Sequence, residues 1–176
     1  IPLWSVKMDM SLGDYKVQSF WIPDLTYHQL PNQGGTFEQY VPFPELPSEV
    51  EIQVEEIDKP DNILKDSDFG TRISRYINNW DLSLSYLYHY DDVPIVARNA
   101  SFAADDSPRL TISPLYKRNH LIGLTFGNTI GNFGLRGELA FSPNKIFSTQ
   151  RMSDMDGLYR SDQITSGIGI DYFGIS

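Results

Sequence analysis

Apolar residues recur at every second position in seven segments of this 176-residue chain, and that period constrains the fold more than any other feature. Successive side chains of a β-strand point to opposite faces, so a period of two gives each strand one apolar and one polar face. A helix would scatter the same residues around its circumference. The cleanest segment is Trp80 to Tyr90, where Trp80, Leu82, Leu84, Tyr86, Tyr88 and Tyr90 alternate with Asp81, Ser83, Ser85, Leu87 and His89.

The other six segments run from Leu3 to Met10, Tyr15 to Ile22, Phe69 to Ile77, Tyr116 to Gly127, Phe133 to Ser142 and Gln163 to Phe173. Turn residues punctuate them: Ser11-Leu12-Gly13-Asp14, Asn78-Asn79 and the stretch 128–132. Longer connections fall at about 24–66, 91–113 and 143–160. Short and long connections therefore alternate, as in an up-and-down antiparallel meander with turns at one end and loops at the other. The predicted fold class is all-β, with about seven strands forming part of a transmembrane outer-membrane β-barrel. The 24–66 insert holds most of the prolines, among them Pro42, Pro44 and Pro47, and reads as a loop with its own function. Within it Val50-Glu51-Ile52-Gln53-Val54 alternates strongly and suggests a short hairpin or a plug over a pore, against a solvated external loop.

Composition closes several alternatives. A 40% hydrophobic and 21% charged chain of this length is one folded domain rather than a disordered tail. The net charge of -9 with scattered lysines and arginines argues against nucleic acid, whose phosphates need a basic stripe. Without cysteine there is no disulfide, thiolate metal site or thiol nucleophile. No apolar run reaches the roughly 18–20 residues of a membrane-spanning helix, which leaves strand-built membrane proteins open. The sequence begins at Ile1 without a basic and apolar leader, so it reads as a fragment of a larger barrel whose signal is removed or lies elsewhere.

The placement of aromatic residues favours a membrane wall over a soluble sheet. With the short turns taken as one end, Tyr15, Trp80, Phe126, Phe133 and Tyr172 fall near that end of the apolar face. Trp4, Trp21, Phe69, Tyr88, Tyr90, Tyr116 and Phe141 fall near the loop end. Aliphatic residues lie between, and bilayer interfaces select such paired girdles. The opposite face carries Lys7, Asp9, Lys16, Gln18, Arg72, Lys117, Arg136, Glu138 and Asp171, which need a hydrated lumen or partners. Arg75 and His120 fall on the apolar face, near enough to its two ends to reach headgroups.

Lys7, Lys16, Arg72, Lys117, Arg136, Glu138 and Asp171 are candidates for a lumen-lining charged set that biases which solutes pass. The plain alternative is that Arg136 and Glu138 belong to a cross-strand ion-pair ladder filling the interior. Asp154 and Asp156 carry part of a calcium-loop pattern, but Met152 stands where an acidic ligand is wanted and no glutamate closes the loop. Asp91-Asp92 and Asp105-Asp106 read as solvated loop carboxylates. His28, His89 and His120 lack metal spacing. His89 shares a face with Ser83 and Ser85, yet no triad can be assembled from the order of residues alone. No metal, cofactor or catalytic residue is expected.

The run Ser67-Asp68-Phe69-Gly70-Thr71-Arg72-Ile73-Ser74, followed by Trp80-Asp81-Leu82-Ser83-Leu84-Ser85-Tyr86 and Asp91-Asp92-Val93-Pro94, resembles a proteobacterial outer-membrane β-barrel family known as domain of unknown function 1302. Trp21-Ile22-Pro23-Asp24, Tyr116-Lys117-Arg118 and Leu135-Arg136-Gly137-Glu138-Leu139-Ala140 are similar to further stretches of that family. The resemblance implies an outer-membrane protein, larger than this chain, sometimes associated with hydrophobic compounds, and it supplies no catalytic residues. The resulting expectation is a porin-like conduit for small or hydrophobic solutes in the outer membrane of a Gram-negative bacterium. The alternatives are a non-conducting barrel that docks or transfers lipid-like compounds and a soluble β-sheet binding module. Expected partners are outer-membrane lipid and lipopolysaccharide, a small or hydrophobic solute, and no nucleic acid. Bacterial single-chain barrels have even strand numbers, so seven strands imply further strands or self-association through open edges.

Overall fold

In the computed structural model, residues 4–26, 50–57, 59–103, 105–151 and 153–174 are described. They contain no helix and ten strands: β1 (Val6–Leu12), β2 (Tyr15–Ile22), β3 (Glu51–Val54), β4 (Asp68–Ile77), β5 (Trp80–Tyr90), β6 (Ile95–Phe102), β7 (Pro108–Leu115), β8 (Arg118–Ile130), β9 (Phe133–Ser148) and β10 (Leu158–Tyr172). Seven of them form one antiparallel sheet in the order β1-β2-β4-β5-β8-β9-β10, which is chain order with the two inserts removed. The up-and-down meander is therefore present. The sheet is not closed, since β1 and β10 are its two edges.

The tight turns account for the pairing. Asn78 and Asn79 both have positive φ, 50° and 66°, the conformation of a two-residue hairpin turn whose twist matches that of its strands. Asparagine tolerates this region because its short amide bonds locally to the backbone. In the Gly13-Asp14 and Gly131-Asn132 turns only the glycine is left-handed. Each turn fixes the register of the strands it joins, and the rest of the ladder follows in phase.

Where the observed elements differ from the sequence expectation, proline and loop chemistry explain the difference. The sixth segment was expected to end at Ser142, before Pro143, yet β9 continues to Ser148. A β-bulge accommodates the proline: between the Gln163–Ser142 and Ser161–Lys145 pairs, β9 carries one extra residue. Asn144 there has φ 50°, and its amide donates to Asp162 Oδ1 at 2.8 Å. The expected loop at 91–113 instead contains the hairpin β6–β7, and the 50–54 stretch, read as a short hairpin or plug against a solvated loop, is the single strand β3, paired parallel to β7. These three make a small separate sheet in the order β3-β7-β6. Pro108 and Pro114 sit outside the Arg109–Ile112 stretch of β7 that is paired on both sides. Residues 27–49 of the proline-rich insert, His28 among them, and residue 58 lie outside the described residues.

Burial is concentrated away from the large sheet. Among the described residues the buried large apolar side chains are Leu110, Ile112 and Tyr116, all in or beside β7. The seven-stranded sheet has none, and among the described residues no second layer packs on it as in a sandwich. Asn79→Ala places a Cβ without the compensating amide in the left-handed region and is expected to cost about 1 kcal/mol, whereas Asn79→Gly is neutral or stabilising. Equilibrium unfolding of the two variants in detergent checks this, and equal stabilities would contradict the turn assignment.

Candidate functional site

The two faces of the large sheet are the candidate site, and the register makes them unlike each other. One row of paired residues crosses all seven strands as Met8, Ser19, Thr71, Tyr86, Ile122, Phe141 and Ile164. The row two residues below reads Met10, Val17, Ile73, Leu84, Leu124, Leu139 and Ser166. These side chains are open to the surroundings: Leu84 is 53% exposed, Ile164 68% and Ile168 77%. Water disfavours such a surface at ~25 cal/mol per Å² of apolar area, and contiguous apolar patches beyond a few hundred Å² mark contact with something apolar.

Aromatic rings bound this apolar face. Trp21, Phe69, Tyr88 and His120 form the row at the loop end. At the turn end Trp80 meets Phe126 at 6.1 Å and Phe133 meets Tyr172 at 5.1 Å between ring centroids. The two polar exceptions are both provided for. Arg75 bonds Asp14 and the Tyr15 hydroxyl, each at 3.0 Å, and lies over the Tyr15 ring. His120 stacks 4.9 Å from Tyr88, and its Nδ1 is 2.7 Å from the Tyr86 hydroxyl.

The reverse face is polar. Its rows read Asp9, Gln18, Arg72, Ser85, Gly123, Ala140 and Thr165, then Ser11, Lys16, Ser74, Ser83, Thr125, Glu138 and Gly167. Lys7, Lys16, Arg72, Arg136, Glu138 and Asp171 all lie on this face, as the alternation predicts. Lys117 does not: it occupies the two-residue connection between β7 and β8, outside the sheet, because β8 begins one residue later. Tyr116 is in the same connection and buried, and so stands outside the aromatic rows.

Charge on the polar face is divided. Toward β1, Asp9 receives Lys7 at 3.2 Å, Lys16 at 3.8 Å and the Gln18 amide at 2.6 Å. Arg72, in the same row, has neither a hydrogen bond nor an ion pair among the described residues, and its Nε is buried. Toward β10, Arg136 pairs with Asp171 at 3.4 Å rather than with Glu138. Glycines let these long side chains lie flat: a Cβ on Gly169 would sit 2.8 Å from Arg136 Nε, and one on Gly167 would sit 3.2 Å from Glu138 Oε1. The loop-end row of this face, Lys7, Phe20, Gly70, Leu87 and Leu121, is largely apolar, with the Phe20 ring lying over Gly70. The β9 bulge reverses which of its side chains lie on the polar side, putting Phe147 against Tyr159 at 5.4 Å.

The remaining sequence candidates are engaged otherwise. Ser83 bonds Thr125 at 2.6 Å, Ser85 donates to the Gly123 carbonyl, and His89 Nδ1 is 2.8 Å from the Tyr90 carbonyl, so no serine meets His89. At the stretch proposed for calcium, the Arg151 and Asp154 carbonyls accept from the Arg98 guanidinium, and the Asp156 carbonyl accepts from the Arg98 amide. Among the described residues no three His, Asp or Glu side chains converge to hold a metal.

Sequence reasoning missed the clamps at the loop end, because they join distant segments. Arg118 lies 4.6 Å from the Tyr88 ring and 4.3 Å from the Tyr90 ring and donates to the Lys65 and Ser67 carbonyls at 2.9 Å each. Trp21 donates to Ser67 Oγ at 2.6 Å. Trp4, Trp21, Leu25 and Ile63 line an apolar hollow beside them. Its rim is set by Asp24, whose carboxyl is held below its usual range chiefly by the Thr26 hydroxyl and then by the Trp4 amide.

The sequence matches a family model described as protein of unknown function (DUF1302) over residues 1–165. No curated protein and no solved structure matches the chain.

Arg118→Ala removes both cation–π contacts and two charge-assisted hydrogen bonds, together about 2 kcal/mol at this part-buried position. The segment around Lys65 is then expected to open, and trypsin to cut after Lys65 at least tenfold faster. Unchanged cleavage would show that other contacts hold the segment.

Proposed function

Because the chain belongs to the DUF1302 family, and its large sheet is apolar on one face and polar on the other, we propose that this sheet is part of the wall of an outer-membrane β-barrel that conducts small or hydrophobic solutes. The carrying observation is the pair of largely apolar seven-residue rows over which no second layer lies among the described residues. In this reading the apolar rows contact hydrocarbon, and the rows containing Asp9, Arg72, Thr125 and Glu138 contact lumen water.

Three features support the orientation. Tyr88 and Trp80, on opposite aromatic rows, are eight residues apart on β5, about 27 Å along a strand. Tilted by about 40°, that span projects to about 20 Å, near the ~25 Å apolar band of outer-membrane barrels. All three tight turns lie at one end and all long excursions at the other, the asymmetry of periplasmic turns and external loops. The open edges β1 and β10 are compatible with further strands completing the wall. A membrane surface of lipid and lipopolysaccharide is the partner this face implies.

Carbonate-washed outer membranes should retain the protein, and the full-length protein in planar bilayers should give discrete conductance steps. Leu84→Arg and Leu124→Arg, at mid-band, are expected to cost about 2–4 kcal/mol in folding into bilayers, while Ser85→Arg on the reverse face costs much less. A detergent-free soluble monomer, or arginine tolerated equally at Leu84 and Ser85, would overturn the reading; insertion without conductance would leave a docking rather than a conducting wall.

A further inference from the structure

Arg72 is the one arginine on the polar face of the wall for which the described residues supply neither an ion pair nor a hydrogen bond. Its row neighbour Asp9 is already taken by Lys7, Lys16 and Gln18. Counting formal charges on this face of β1, β2 and β4, Lys7, Lys16 and Arg72 stand against Asp9 and Asp68, an excess of one positive. On β5, β9 and β10 below the bulge, Arg136 stands against Asp81, Glu138 and Asp171, an excess of two negative. An anion on this face is therefore drawn to the Arg72 side.

The row immediately toward the loop end is apolar beyond Lys7, where a lumen lining is expected to be polar: Phe20 covers Gly70, and Leu87 and Leu121 continue the ledge. Gly70 and Arg72 are two residues apart on β4, so the ledge begins about 7 Å from the arginine backbone. Beside Arg72 in its own row, Ser85 and Gly123 leave no bulk above the strand. The planar, permanently charged Arg72 guanidinium suits the two-oxygen geometry of a carboxylate, and the ledge suits an alkyl chain attached to it.

We infer that Arg72 with the Phe20, Leu87 and Leu121 ledge is a binding site for an amphipathic carboxylate, an alkyl chain ending in a carboxylate group. The inference rests on the wall reading above, since it needs this face to line a lumen. It names the solute class the wall selects: the carboxylate pairs with Arg72, and the chain lies on the ledge toward the loop end.

The test is calorimetric titration of the full-length protein in phosphatidylcholine nanodiscs with octanoate, octanol and acetate, each variant compared in the same discs so that lipid partitioning cancels. Octanoate is expected to bind at least tenfold more tightly than either acetate or octanol. Arg72→Gln should lose at least tenfold, Leu87→Ala several-fold, and Arg136→Gln less than twofold, with Arg72→Lys recovering part of the loss. Unchanged heat-dependent gel mobility confirms that each variant is folded. Equal losses in Arg72→Gln and Arg136→Gln, or octanol binding as well as octanoate, would overturn the inference. A protein that enters the discs but binds no octanoate sinks this site alone, whereas one that stays soluble without lipid or detergent sinks the wall reading.

Discussion

The phase of the antiparallel ladder is the constraint on which everything else in this molecule depends. Six successive pairings keep residues of matching parity in line, so that Met10, Val17, Ile73, Leu84, Leu124 and Leu139 stand on one side and Gln18, Arg72, Ser85 and Thr165 on the other. A slip of one residue at any pairing would put a charged row among the apolar ones, a far larger penalty than the loss of a few hydrogen bonds. The left-handed residues Gly13, Asn78, Asn79 and Gly131 matter because they fix that phase at each tight turn.

Glycine has a second task within the wall. Gly167 and Gly169 leave room for Glu138 and Arg136 to lie across the sheet instead of standing away from it. Phe126 covers Gly137 on the apolar face in the same manner as Phe20 covers Gly70 on the polar one. In the proposed orientation the first arrangement keeps the lumen open while retaining its charge, and the second replaces bare backbone with ring surface.

The loop end is organised by a different principle, in which single arginines join segments far apart in sequence. Arg118 ties the 65–67 stretch to Tyr88 and Tyr90, and Arg98 ties β6 to the 151–156 turn. Arg109 reaches Glu51 across the parallel β3–β7 pair. Both long inserts and the β9–β10 connection are thereby fastened at one end of the large sheet, where Leu110 and Ile112 are the buried aliphatic side chains among the described residues. Burial in the excursions and exposure in the large sheet reverse the usual distribution among those residues.

By itself the sequence determined the strand-by-strand alternation, the places of the three tight turns and, Lys117 excepted, which of the candidate charged residues share a face. Those are local properties: a strand's period is two whatever its neighbours are, and Asn-Asn or Gly-Asp turns need only adjacent residues. Tyr15–Ile22 and Trp80–Tyr90 were legible to the residue for that reason, as was the common face of Lys16, Arg72, Arg136 and Glu138. Only the tertiary structure decided that 50–54 pairs parallel with a strand almost sixty residues on, that Lys117 stands off the large sheet, and that β9 passes through Pro143 by a bulge. It also decided that Asp9 is claimed by two lysines while Arg72 finds no partner among the described residues. Each of these depends on which strand lies beside which, and pairing between distant segments leaves no period in the chain for a reader to follow.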